Sequence, residues 1–223
     1  MTAKQINSLS KILLLISVLL PLPGCQEEVP IGKWKDGIIP YYLTGSFSDD
    51  DIDVLQQAMA DWEEVANVQF IEVTPRAGAY RITKVSENQW SSSVGENNSD
   101  CEMIFGSGGD KYSHVAHELG HALGLLHEHQ RPDRDSYIKI IYSNILDQYL
   151  FNYDKQDNPL IVEENFDYDY TSIMHYPANS FSKDGTSNTM ESLDSEQPIN
   201  RLGIITTDDA LKAQEIYGAP VEE

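Results

Sequence analysis

His117, Glu118, His121 and His127 fall within eleven consecutive residues, with Gly124 between the last two histidines. Side chains four apart lie one above the other on a helix, so His117 and His121 can address one ion from the same face. Imidazole nitrogens bind Zn²⁺ at about 2.0–2.1 Å, and a catalytic zinc keeps one position for water. Glu118, next to the first histidine, can take a proton from that water. His127 lies six residues beyond His121, and a helix cannot bring it round to the same ion. Gly124 permits the turn that would, because glycine adopts backbone angles that other residues avoid. By composition alone an HExxH match arises by chance in roughly one such chain in a hundred. Requiring the further glycine and histidine lowers this to on the order of one in a hundred thousand.

These groups need a helix beneath them and a framework to orient it. Ser113–Leu126 predicts that helix, with Val115, Ala116, Leu119, Ala122, Leu123 and Leu126 as packing positions. Upstream, Ile38–Leu43 predicts an early strand, and Pro40 in it suggests a sheet edge. Ser48 is a helix cap followed by Asp49, Asp50 and Asp51, which suit a positive helix N-terminus. Ile52, Leu55, Met59, Trp62 and Val65 then mark one apolar face. Val68–Val73 and Tyr80–Val85 are β-rich runs separated by Pro75 and Gly78. Ser91–Asp100 reads as a polar loop and Cys101–Phe105 as a short strand. Between Glu128 and about Thr207 the helical signal is thin, apart from a turn near Ile145–Tyr153. A last helix, Thr207–Tyr217, opens on Asp208 and Asp209 and is stopped by Gly218 and Pro220. Strands and two helices before an irregular, loop-rich half imply an α+β fold of two lobes: an N-terminal twisted sheet with two helices, then a lobe with one terminal helix.

The chain has 223 residues with a formal charge of −21 and 40% hydrophobic residues, which suits one domain with its own core. So acidic a surface repels phosphate backbones and anionic headgroups, excluding nucleic acid and a lipid surface as partners of the folded domain. Lys4 and Lys11 precede an apolar run, Ile12–Leu20, too short to span a bilayer, and residues 1–24 read as a signal peptide. Leu22-Pro23-Gly24-Cys25 resembles a bacterial lipobox, which makes Cys25 a lipidation site and residues 25–30 a tether. The expected location is outside the cytoplasm, as a bacterial cell-surface or outer-membrane lipoprotein held by its lipid alone, or otherwise secreted or periplasmic. Cys101 is the other of two cysteines, so no disulfide is expected within the mature chain.

The extended motif resembles that of the metzincin metallopeptidases, and within them the astacin family. The resemblance is carried by the zinc motif with Glu128 directly after the third histidine, by His129-Gln130-Arg131-Pro132-Asp133-Arg134-Asp135, by Tyr170-Thr171-Ser172-Ile173-Met174-His175-Tyr176, by the Leu211–Tyr217 helix, and by Trp34–Tyr41. It covers residues 31–219 and implies a zincin-like catalytic domain with its cleft between the lobes. It implies one Zn²⁺ per chain held by His117, His121 and His127, with Glu118 as general base. Met174 matches the methionine of the turn beneath the metal. Tyr176 matches a tyrosine that is a further ligand at rest and stabilises the oxyanion when substrate binds. The strand at Cys101–Phe105 corresponds to the rim on which an extended peptide adds. Glu128 is read as a structural acceptor for the N-terminal segment, the Arg131–Asp135 charges as a local ion-pair cluster, and His114, His129 and His175 as non-ligands.

The implied activity is zinc-dependent endopeptidase cleavage of extracellular protein by a monomer. A silent surface binding protein, or a zinc hydrolase of a non-protein amide, are the alternatives. Two departures stand out: the family's usual disulfides cannot form, and no zymogen motif is found between Cys25 and Trp34. Lys183 and Arg201 fall in the second lobe, without an assigned place.

Overall fold

The computed structural model describes residues 32–97 and 100–221. The signal peptide, Cys25 and the tether read from the sequence lie outside the described residues. Five strands form the main sheet: β1 (Ile38–Thr44), β2 (Gln69–Glu72), β3 (Tyr80–Lys84), β4 (Ser91–Ser92) and β5 (Glu102–Phe105), in the order β2-β1-β3-β5-β4. All neighbours run parallel except β4, which is antiparallel to β5. Ile39 and Tyr41, Tyr80 and Ile82, and Met103 and Phe105 are buried on alternate positions, so one face of the sheet carries the core.

Pro40 is not on an edge strand, since β1 has β2 on one side and β3 on the other. The two ladders are staggered. β2 pairs with Ile38–Tyr41 and β3 with Tyr41–Thr44, so at Pro40 only one neighbour is present and the missing N–H costs no ladder bond on the other side.

Helix α1 (Asp49–Val65) starts at Ser48 with a reciprocal capping box, in which Asp51 accepts from the Ser48 N–H while the Ser48 hydroxyl accepts from that of Asp51. Its buried residues Leu55, Ala58, Met59 and Trp62 meet helix α2 (Lys111–Ala122), where the Trp62 indole N–H donates to the Ala116 carbonyl at 2.9 Å. Such an indole fills the core and satisfies its one donor at once.

Helix α2 ends earlier than its apolar spacing suggested, at Ala122 rather than Leu126. Gly124 stands at φ +98°, its N–H bonds to the His121 carbonyl and that of Leu125 to Gly120. This is a Schellman turn, closed by the residue type that bears a left-handed backbone without strain.

The second lobe is built mostly of short 3₁₀ turns around a cluster of Ile138, Ile145, Tyr153, Tyr168, Tyr170 and Met190. Its regular element is the ribbon of β6 (Ile138–Ile140) and β7 (Met190–Ser192). Helix α3 (Thr207–Tyr217) returns to the first lobe. The Gln214 amide donates to the Val65 carbonyl, and the Tyr217 hydroxyl accepts from the Trp34 N–H. Among the described residues no helix is long and apolar enough to cross a membrane, and Cys101 is a buried free thiol.

Asp209, 1% exposed on α3, completes the helix's capping box with Thr206 and accepts from Ser172 Oγ at 2.5 Å and the Ile173 N–H at 2.9 Å. Asp209→Ala removes all of these and is expected to cost about 2–4 kcal/mol. In urea unfolding this reads as a lower midpoint at unchanged slope.

Candidate metal centre and cleft

His117 and His121 lie on consecutive turns of α2, and His127 opens the 3₁₀ turn Glu128–Gln130 that comes after the Schellman stop. Each ring is held from behind. His117 Nδ1 donates to the Ile173 carbonyl at 2.7 Å, His121 Nδ1 to that of Leu125 at 2.8 Å, and His127 Nδ1 to Gln130 Oε1 at 2.8 Å. A carbonyl oxygen can only accept, so each Nδ1 carries the proton and each Nε2 keeps a lone pair. These lone pairs converge, with Nε2 of His127 3.2 Å from that of His117 and 3.1 Å from that of His121. Burial lowers all three imidazole pKa values, that of His121 to about 4, so the rings are neutral and no proton bridges them.

Three imidazole lone pairs facing one point suit a divalent ion. Nitrogens about 2.0–2.1 Å from a tetrahedral zinc stand roughly 3.3 Å apart, close to both Nε2 separations. The donor set therefore fits zinc. Among the described residues these three histidines are the group of His, Cys, Asp and Glu side chains able to share an ion.

They open into a cleft of about 490 Å³, which Glu118 also lines. Glu118 is 5% exposed, and burial, opposed by the charge of Arg201, raises its carboxyl to about 8. One wall carries Asn88, Trp90, Ser91 and Ser92, and another carries Tyr176, Pro177, Ser180 and Phe181.

The rim differs from the expected one. β5 lies inside the sheet between β3 and β4, and β4, within the stretch read as a polar loop, is the edge strand that borders the cleft. Only a strand with a free side can receive another, and two serines carry too little apolar pattern to announce one.

Met174 is 2% exposed, and a methyl added at Gly120 would meet its sulfur at 2.5 Å, so the thioether lies hard against α2 between the two helical histidines. Its carbonyl accepts from the Glu128 N–H at 3.1 Å. Tyr176 brings its ring to 4.4 Å from that of His127.

Of the histidines read as non-ligands, His114 stacks on Trp90 at 4.9 Å on the cleft wall. His129 is fully buried against the Asn152 carbonyl. His175 bridges the Tyr168 hydroxyl and the Tyr176 carbonyl.

Glu128, read as an acceptor for an N-terminal segment that lies outside the described residues, is well bonded within them. It accepts from Arg131 Nη1 at 2.9 Å, from the Asp169 N–H at 3.0 Å and from Lys212 Nζ of α3. Arg131 in turn is forked on Asp133 at 2.8 and 2.9 Å and bonds the carbonyls of Glu163, Phe166 and Asp167. Lys183 pairs with Asp147 at the surface and does not line the cleft. Arg201 does line the cleft. It donates to the Ser113 carbonyl at 2.7 Å and hydroxyl at 2.8 Å, while its buried Nε has no partner. No local pattern in the sequence marks it, because the contact spans 88 positions.

The sequence profile of the astacin peptidase family matches residues 26–218. Bone morphogenetic protein 1 of Xenopus laevis is 33% identical over 196 residues, which is 86% of this chain and 28% of that protein. Tolloid-like protein 2 of Homo sapiens is 37% identical over 151 residues, 67% of this chain and 15% of that protein. The chain thus spans less than a third of the length of these relatives. In structure it is similar to high choriolytic enzyme 1, a hatching enzyme zinc-protease of Oryzias latipes, with a TM-score of 0.73, 27% identity, and coverage of 89% of this chain and 98% of that one.

Lys212 and Glu128 are both nearly inaccessible, at 6% and 3% side-chain exposure, and removing one partner of a buried pair strands the other charge. Lys212→Met is expected to destabilise by up to about 3–5 kcal/mol, and Glu128→Gln by more, because Glu128 keeps Arg131 in the first variant while both buried cations lose that partner in the second. Chemical denaturation of the parent and both variants checks this.

Proposed function

The chain belongs to the astacin family of metallopeptidases, and on that premise we propose that its cleft hydrolyses peptide bonds in extracellular proteins. The observation that carries the reading is the convergence of three neutral imidazole Nε2 atoms, each with its Nδ1 fixed by an oxygen acceptor, in a cleft shared with a buried carboxyl. Zinc, one per chain, is the cofactor; when bound it supplies a Lewis acid and lowers the pKa of a coordinated water.

His117, His121 and His127 hold the ion. Glu118 takes the proton of the attacking water and hands it to the leaving amine. Substrate lies extended along β4, whose free edge gives main-chain bonds that do not depend on side chains. Tyr176 lines the cleft and donates a hydrogen bond from its hydroxyl to the oxygen on which charge develops. Met174 touches no substrate; it fills the space beside Gly120 that keeps the two helical histidines in register. The catalytic unit is proposed to be a monomer.

The leader and Cys25 support export and a lipid anchor on a bacterial surface, with plain secretion the simpler case. A silent binding protein has no use for Glu118, and a hydrolase of non-protein amides has no use for the open edge of β4.

The test is cleavage of an unfolded protein by residues 26–223, with Glu118→Ala beside it and zinc measured in both. The expected result is one zinc in each and a loss of activity in the variant of about 10²–10⁴-fold. Zinc in both with cleavage by neither would overturn the peptidase reading. Stripping the parent with a chelator is expected to abolish cleavage, and stoichiometric zinc to restore it.

A further inference from the structure

Tyr176 has four aromatic neighbours, and they do not hold it alike. Its ring lies at 58° to His127, 56° to Phe181 and 79° to Tyr153, with centroids at 4.4, 5.6 and 6.3 Å. Against His129 it lies at 28° and 4.2 Å, the shortest and flattest of the four contacts. An offset stack of this kind fixes the plane of a ring, whereas edge contacts leave it free to pivot.

His129 is itself immobilised. It is 0% exposed, its Nε2 donates to the Asn152 carbonyl at 3.1 Å, and its own carbonyl accepts from Arg134 Nη1 at 2.8 Å. It also sits two residues from His127 in one tight turn, so a single backbone segment delivers a ring of the metal centre and the face under Tyr176. The position takes no part in the proposed chemistry, and a buried histidine with one ring nitrogen unpartnered is a costly choice for mere filling.

We propose that His129 is a positioning residue for the reaction, its imidazole face being the platform that sets the plane and reach of the Tyr176 phenol toward the three-histidine centre. The inference rests on the peptidase reading for its kinetic consequence and on the stacking geometry for its structural one, and the two are separable.

Two variants isolate the ring face. His129→Phe keeps a flat ring and His129→Leu fills the volume without one, and both delete the bond to Asn152. The expected pattern is zinc retained at one per chain in both. The phenylalanine variant keeps kcat within about threefold of the parent, while the leucine variant loses about tenfold in kcat with KM changed less than about twofold. In a Tyr176→Phe background the leucine and phenylalanine variants are expected to agree within about twofold, because the platform has no hydroxyl left to aim. Independently of activity, ring-¹³C tyrosine labelling with the Tyr176 signal identified by its absence in Tyr176→Phe reads the stack directly. That signal should hold its ring-current shift in His129→Phe and move toward the exposed-tyrosine position in His129→Leu.

Equal losses in the leucine and phenylalanine variants, an undiminished leucine effect in the Tyr176→Phe background, or a Tyr176 signal indifferent to the leucine change would each overturn the proposal. Should the parent cleave nothing, the peptidase reading fails while the labelled ring still decides whether His129 holds Tyr176.

Discussion

A helix can present two histidines to one ion and no more, and everything around the cleft answers that constraint. The third imidazole must arrive from chain that has left the helix at once and cannot wander. Gly124 makes the departure sharp, its left-handed backbone closing the Schellman bonds that end α2 just past His121. The chain beyond that turn is short, irregular backbone with few ladder bonds of its own, so its position has to come from side chains. Glu128 supplies it. Packed between Arg131, Lys212 and the Asp169 N–H, it fixes the residue next to His127 from three directions.

The charges divide unevenly. The chain is strongly acidic overall, yet the cations Arg131, Lys212 and Arg201 lie at the cleft or in the shell that supports it. Arg131 and Lys212 are spent on carboxylates and carbonyls that hold loops. Arg201 reaches the cleft wall itself, with Glu118 in its field. Ion pairs at the surface contribute little; these are buried, and their use is to give an irregular lobe one conformation. A disulfide-free lobe built of 3₁₀ turns has few other means of doing so.

The donor atoms were legible from the sequence because their geometry is local. His117 and His121 are related by helix periodicity, and Gly124 with His127 by the need for a turn. The longer strands and all three helices were legible for the same reason, down to the Ser48 cap and the Gly218 stop. What escaped was anything set by distant pairing. Pro40 looked like an edge because nothing local tells that β2 and β3 flank β1 at different heights. Two serines did not look like a strand, although β4 borders the cleft, because an edge strand two residues long has no period to detect. The contact of Arg201 with Ser113 and that of Lys212 with Glu128 span 88 and 84 positions, which no spacing rule reaches. The extra apolar residues after Ala122 imitated a longer helix, and only the bonds of the turn reveal where it stops.

Helix α3 has a consequence for time as well as for space. Through Asp209 it grips the turn that carries Met174, and through Lys212 it grips the turn that carries His127. Both grips are absent until the last helix has docked. During synthesis, then, the two helical histidines can be in place on α2 while the third still hangs from slack chain. The three-histidine centre is thus tied to the C-terminal helix, and a chain that lacks α3 lacks both holds on it.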